Sequence, residues 1–414
     1  MNMDTLSRRK FLKLVGAGAA GAAATQLSLA DIVLAGQTRP LPSGTPILVV
    51  VTLYGGNDGL NTVIPYADPI YKQSRPGIYV DESHLIPLDA ELALNGTMSG
   101  FKSLWDNQNL AIVRGVGYPH PLLSHFSSMA IWQSGLPDSL SNTGWIGRWL
   151  DTQKHDPMSA IGLGSVLPPL LAGAKKVGSV LPLGGLVLPD HTTAYALHRL
   201  GLPDQGDGPL QSAAAAAIAD FLSLGKKITP ILKAPAPVPD NLPTQVGGSF
   251  GSDSSLSQQL DVVAKLIAVN TPTKVWAVSL GGFDTHADEV KGQSTLLGTV
   301  SQAVTRFIGQ MHGSNRQNDV VVLVYSEFGR RVKANGTQGT DHGTAGPVFV
   351  IGNGVDGGKF YGDEPSLSKL VDGNLAITTD FRDVYAAMLE DVLKIPAGQV
   401  IPGWGSKLPL MLRV

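Results

Sequence analysis

The chain predicts an α/β fold, a mostly parallel central sheet flanked by helices, and three observations carry that prediction. Residues 47–53, 110–116, 274–280, 320–324 and 347–351 are nearly continuous apolar runs rich in β-branched side chains, the pattern of strands buried on both faces. Segments of helical periodicity separate several of them, at 100–107, from Ser124 onward, at 255–270 and at 290–311. Most of the runs stop at, or start from, a break containing glycine with an acid or a histidine. Parallel strands would gather those breaks on one rim, outside the carboxyl ends, where open α/β sheets keep their ligands.

Composition narrows the class of protein. The 414 residues carry a net charge of −2 with 15 % charged side chains, so nothing marks a phosphate-binding face and no nucleic-acid partner is expected. The absence of cysteine excludes disulfides, thiolate metal sites and a cysteine nucleophile. The 49 glycines and 28 prolines fall in short breaks between apolar runs, as expected for many loops around a buried sheet.

Residues 1–35 read as an address outside the fold. Ser7-Arg8-Arg9-Lys10-Phe11-Leu12-Lys13 precedes a weakly hydrophobic Ala/Gly run and small-residue cleavage points at Ala30 or Ala35, the pattern of a twin-arginine export signal. That reading makes the translocase a transient partner and the location periplasmic or secreted, with no stable membrane span after cleavage. The remainder, 46–414, reads as a single domain in which 136–250 forms a less regular cap or insert.

Taken in order, the first strand ends in Tyr54-Gly55-Gly56-Asn57-Asp58-Gly59, and the glycines leave Asp58 at its carboxyl edge. The strand at 110–116 leads through His120 to Ser124 and His125, which open a helix; unpaired N–H groups there favour an anion or an ionised nucleophile. Within 136–250, the Ala-rich stretch 212–224 suits a helix and the Pro-rich stretch 230–248 a linker. His155, His191 and His198 in that region lack partner acids at ligand spacing.

The strand at 274–280 stops at Gly281-Gly282-Phe283-Asp284-Thr285-His286. In extended backbone an acid and a histidine two apart face one side and can ligate one ion. The strand at 320–324 ends near Ser326 and Glu327, and a loop with Arg330 and Arg331 then ends in Asp341-His342-Gly343 before the next strand. Near the C-terminus, Thr379 or Asp380 caps a helix reaching about residue 392. Carboxylates and imidazoles without thiolates suit Zn²⁺, Mn²⁺ or iron, and a carboxylate-rich part suits Mg²⁺ or Ca²⁺. Such a set fits metal-assisted hydrolysis.

Asp58-Gly59 after the first strand, a serine at a helix start, Asp284 after a later strand and the sequence DHGTAGPVFVIG resemble the alkaline-phosphatase-like superfamily of phosphatases, sulfatases and phosphomutases. With the leader, GGNDGLNT, SHF followed by IWQSG, GGFDTH, SEFGR and TDHGTAGP, the chain is more closely similar to the twin-arginine-exported family of unknown function 1501, a member of that superfamily. The resemblance implies an alkaline-phosphatase-like fold and an exported hydrolase of phosphate or sulfate esters of small molecules or saccharides. It implies one ion, Zn²⁺ first, on Asp284, His286 and His342. A second would lie on Asp58 and Glu327, with Ser124 or His125 in the nucleophile slot. Asn57, His120, Arg330 and Asp341 are the expected substrate contacts. Phe328 stands where the superfamily has a ligand, which keeps open a second reading, an exported scaffold or cell-surface assembly factor that retains the fold and a structural metal.

Overall fold

A computed structural model describes residues 25–27, 29–139, 141–154, 156–183 and 255–409. The described strands are β1 (Thr25–Gln26), β2 (Ile47–Leu53), β3 (Val63–Ile64), β4 (Leu85–Pro87), β5 (Ala93–Asn95), β6 (Leu110–Gly117), β7 (Ala160–Leu163), β8 (Ser179–Leu181), β9 (Val275–Leu280), β10 (Val320–Ser326), β11 (Arg330–Ala334), β12 (Thr340–His342), β13 (Gly346–Ile351), β14 (Lys359–Tyr361) and β15 (Thr379–Asp380). The α-helices are α1 (Leu29–Thr38), α2 (Pro69–Ser74), α3 (Ser99–Asp106), α4 (His125–Ser134), α5 (Trp145–Thr152), α6 (Leu256–Ala268), α7 (Glu289–His312) and α8 (Phe381–Ala387).

Among the described residues the main sheet runs β1-β8-β7-β9-β2-β10-β13-β6-β14, with β15 also paired to β6. The pairs from β1 to β10 are parallel, as are β14 and β15 with β6, whereas β13 is antiparallel to both β10 and β6. This is the mostly parallel α/β sheet that the apolar runs predict. The reversal at β13 matters for the site, because it brings the start of that strand to the rim where β2, β6, β9 and β10 end.

The period of two along each strand sorts side chains onto two faces. Ile47, Val49 and Val51 of β2, with Val320, Val322 and Val324 of β10, pack in one cluster with Phe101, Leu260 and Phe307 from α3, α6 and α7. Leu48 and Val50, with Val321, Leu323 and Tyr325, pack in a second with Trp132, Trp145 and Tyr385 from α4, α5 and α8. A sheet covered on both sides has no polar face to show, which is why its strands read as unbroken apolar runs. Ser255 and Gln258 form a reciprocal capping box at the start of α6, and Asp380 caps α8, where its carboxylate accepts from the Arg382 amide.

Three sequence expectations need correction. Part of the stretch 1–35 read as an address packs against the fold: β1 pairs with β8, and Ile32, Val33 and Ala35 of α1 lie buried in the core. An amphipathic ten-residue helix beside a cleavage pattern cannot be told from a leader tail without knowing what it covers. The described part of 136–250 is not only a cap, since β7 and β8 extend the central sheet; the expected helix at 212–224 and linker at 230–248 lie outside the described residues. The stretch before Asp341 is an antiparallel ribbon of β11 and β12, with Arg330 opposite His342, where a loop was expected. No helix among the described residues is long and apolar enough to cross a membrane.

Candidate metal centre

The site forms where three loops stack on the rim. After β2 the chain turns through Gly55 (φ 117°) and Gly56 (φ 69°), conformations that L side chains rarely adopt. A methyl group at 55 would overlap the Asp284 amide, and one at 56 would overlap the Phe328 ring. Glycine at 55 therefore lets the loops after β2 and β9 touch backbone to backbone, and glycine at 56 admits the Phe328 ring from the loop after β10.

Above that contact three imidazoles surround one carboxylate oxygen. Asp284 Oδ1 lies 3.2 Å from His125 Nε2, 3.1 Å from His286 Nε2 and 3.4 Å from His342 Nε2, and the two Nε2 atoms of His286 and His342 are 2.9 Å apart. Ligands held at about 2.0–2.2 Å from one tetrahedral ion lie roughly 3.3–3.6 Å from one another, so binding would spread these atoms slightly. Two rings are held from behind at Nδ1, His125 by Glu327 Oε1 at 2.8 Å and His342 by the Leu123 carbonyl at 2.8 Å, whereas His286 Nδ1 lies 3.6 Å from Asp341 Oδ1, beyond hydrogen-bond distance. A neutral imidazole whose Nδ1–H is donated presents a bare lone pair at Nε2. His125 Nε2 is buried and, despite its proximity to Asp284, has no partner in hydrogen-bond geometry. An orphaned ring nitrogen among convergent N and O ligand atoms fits a cation site. His125, Asp284 and His342 place one ligand atom each within 4.8 Å of the others.

Burial disfavours the charged form of His125, but the Asp284 and Glu327 carboxylates outweigh it and raise the imidazole to about 9. Burial also works against the Asp284 anion, and the surrounding His125, His342 and Arg330 overcome it and hold the carboxyl far below its usual range. His286 is lowered, by desolvation first and then by the Arg330 charge. The Phe328 ring packs against His125 and His342, at 4.8 and 4.9 Å between centroids, and is itself buried. It closes the inner side of the cluster, while Asp284 and His286, at 44 % and 45 % side-chain exposure, open the outer side to solvent.

Several expected site residues are placed elsewhere. Asp58 is fully buried and clasped by the Arg75 guanidinium on both carboxylate oxygens, so it faces no ion. Glu327 is turned to protein donors, with Oε1 accepting from Gly55 N and His125 Nδ1 and Oε2 lying 2.9 Å from Ser326 Oγ. Arg330, expected on the surface toward substrate, is 1 % exposed and donates to the carbonyls of Gly55, Gly56, Phe283 and Thr340 and to Asp284 Oδ1 at 2.8 Å. Asn57 is buried too, its Oδ1 accepting from Gln293 Nε2 at 2.7 Å and Thr62 Oγ1 at 3.2 Å. A guanidinium or amide at a glycine break serves equally to tie neighbouring loops together, and the sequence does not distinguish that use from ligand binding. His120 is exposed, with φ 55°, in the loop before α4 and is not part of the cluster. Ser124 occupies the N-cap of α4 without a side-chain capping bond. Asp341 is exposed behind His286.

Two residues that matter were not singled out from the sequence. Arg75 follows a short Asp-Pro-capped helix and nothing in its spacing points to Asp58. Glu289 reads as the first acid of α7, yet it is buried, accepts from Asn61 Nδ2 and Thr340 Oγ1, and contacts Asp58. Burial and the Asp58 charge raise its carboxyl to about 9.

Comparison with known proteins adds the following. The model of a protein family of unknown function, DUF1501, matches residues 246–394, a span that includes Asp284, His286, Glu327 and His342 but not His125. No curated protein matches the chain. Among solved structures, the chain is similar to a sulfatase from Pseudoalteromonas sp. (11 % identity, 99 % of this chain and 78 % of that one, TM-score 0.40). It is also similar to the phosphoglycerol transferase GacH of Streptococcus pyogenes (8 %, 97 % and 86 %, TM-score 0.40) and to an alkaline phosphatase superfamily protein from Vibrio parahaemolyticus (11 %, 90 % and 76 %, TM-score 0.38). No activity follows from likenesses this distant.

Proposed function

We propose that the protein is a metal-dependent hydrolase of phosphate or sulfate esters built on a single ion. The observation that carries this is the convergence of His125, His286 and His342 Nε2 with Asp284 Oδ1, including a buried ring nitrogen that has no hydrogen-bond partner. His125, Asp284 and His342 would hold the ion, with His286 Nε2 beside Asp284 and His342, and the imidazole-rich set favours Zn²⁺ over Mg²⁺ or Ca²⁺, which take oxygen ligands. Bound there, the ion would supply Lewis acidity to the ester oxygen of the substrate. The two acids of the expected second ion are spent on Arg75 and His125, which favours one ion over two.

The chain's own residues divide the remaining work. Arg330 fixes Asp284 and ties the loops after β2 and β9 beneath it. Phe328 keeps water from the inner side of the imidazoles. Ser124, adjacent to His125 at the start of α4 and uncommitted as a cap, is the nucleophile of this reading, with the helix N-terminus favouring the anion that arrives. The paired arginines at 8 and 9 support export through the twin-arginine translocase to the periplasm or beyond.

The loss of the second site and the ring of Phe328 favour one other reading, a non-catalytic exported scaffold with a structural ion. Metal analysis of the purified full chain, followed by aryl phosphate and aryl sulfate assays with and without chelator, separates the two. Hydrolysis that a chelator abolishes and zinc restores is the expected result. A full metal load without turnover of either ester class would establish the scaffold.

A further inference from the structure

The geometry points to Glu327 as a positioning residue that selects the tautomer of His125 and aims its Nε2 lone pair at the ion. This rests on the reading above, that the imidazole cluster holds a metal. The resemblance casts Glu327 as a ligand, and the side-chain geometry gives it a different task.

Glu327 is 1 % exposed, and its carboxylate is fixed by the Gly55 amide at 2.9 Å and by Ser326 Oγ at 2.9 Å, which leaves one direction in which Oε1 accepts from His125 Nδ1 at 2.8 Å. Its backbone carbonyl also accepts from Ser128 Oγ at 2.6 Å, so the turn after β10 grips α4 one helical turn beyond His125 as well as at the ring itself. A carboxylate only accepts, so the Nδ1 proton of His125 stays in place, and the proton that an ion must displace is the one on Nε2. That other nitrogen is the one lacking a hydrogen-bond partner. The Phe328 ring, tilted 34° to the imidazole, restricts rotation out of this plane.

The other two rings lack equivalent support. His342 is backed by a neutral carbonyl, and Asp341 behind His286 is 60 % exposed and 3.6 Å away. A buried carboxylate raises the basicity of the ring it orients, whereas an exposed one is screened by water. Of the three backing groups, Glu327 should therefore govern affinity most.

The test measures zinc affinity of the full chain by competition with a chromophoric chelator. Glu327→Gln is expected to weaken binding about 10- to 100-fold, the usual effect of losing such a partner, and Asp341→Asn less. In a His125→Ala background, Glu327→Gln should cause no further loss, whereas a merely structural role would weaken both backgrounds alike. Unchanged affinity in Glu327→Gln, or an equal loss in both backgrounds, overturns the proposal while leaving the metal reading intact. A wild-type chain that binds no zinc overturns the metal reading itself, and this proposal with it. If Glu327→Gln does not fold, ¹⁵N NMR of the zinc-loaded wild type decides: a protonated Nδ1 on His125 is expected, and a protonated Nε2 is fatal to the idea.

Discussion

Asp58 and Arg75 form an enclosed ion pair, with both side chains at 0 % exposure and the guanidinium spanning both carboxylate oxygens, Nη2 lying 3.0 Å from Oδ1. The remaining Arg75 donors reach the carbonyls of Val332 and Arg331, so the pair also ties the loop after β2 to β11. Next to it, burial and the Asp58 charge favour the protonated form of the Glu289 carboxyl. A position that the resemblance assigns to an ion is thus filled by a protein cation.

Removing one half of that pair leaves an unmatched buried charge. Arg75→Ala is expected to lower stability by about 3–5 kcal/mol in urea unfolding. Arg75→Lys should recover little of this, because an ammonium cannot span both oxygens and the two carbonyls together. A loss below about 1 kcal/mol for Arg75→Ala would contradict the buried pair.

Glu289 makes stability depend on pH with a definite sign. Burial and Asp58 raise its folded-state value to about 9, against about 4.3 in an unfolded chain. Between those values the folded state binds more protons, so stability falls as pH rises through the window. Glu289→Gln, which cannot ionise, should flatten the fall, seen as a smaller change in urea midpoint between pH about 6 and about 9 than in wild type. An identical decline in both proteins would assign the effect to other groups.

Metal binding should appear as thermal stability. Zinc at about a hundredfold above its dissociation constant stabilises a protein that binds it only when folded by about 2.7 kcal/mol. Melting with and without chelator should therefore differ for wild type and not for His342→Ala. A His342→Ala protein with an undiminished zinc-dependent shift would remove His342 from the ligand set.

Ser124→Ala separates holding the ion from using it. Hydrolysis of the aryl ester should fall to no more than about a thousandth of the wild-type rate, while zinc content stays unchanged because every imidazole and carboxylate of the cluster is retained. Near-normal turnover in this variant would discard the serine nucleophile and keep the metal centre.

The strands were legible because burial on both faces writes itself as continuous apolar runs; 47–53 and Ile47–Leu53 coincide. That Asp284, His286 and His342 lie at one rim was legible because each follows or precedes such a run at a glycine break. The packing of α1 was not legible, since an apolar segment next to small residues looks alike as leader or as core helix until its covering partner is known. Asp58 was misassigned for a related reason. A carboxylate at a strand end is available to any cation, and the sequence does not say that Arg75, seventeen residues later, arrives first.

What the sequence determined by itself was local: which segments are strands, where they stop, and that acids and histidines wait at the stops, all following from side-chain chemistry and periodicity. Which of those groups meet was decided by the tertiary structure, through the reversal of β13 and the stacking of the loops at Gly55 and Gly56. Imidazole lone pairs and carboxylate oxygens are directional over a few ångströms, and directions at that scale are fixed by packing between distant segments, which no spacing along the chain encodes.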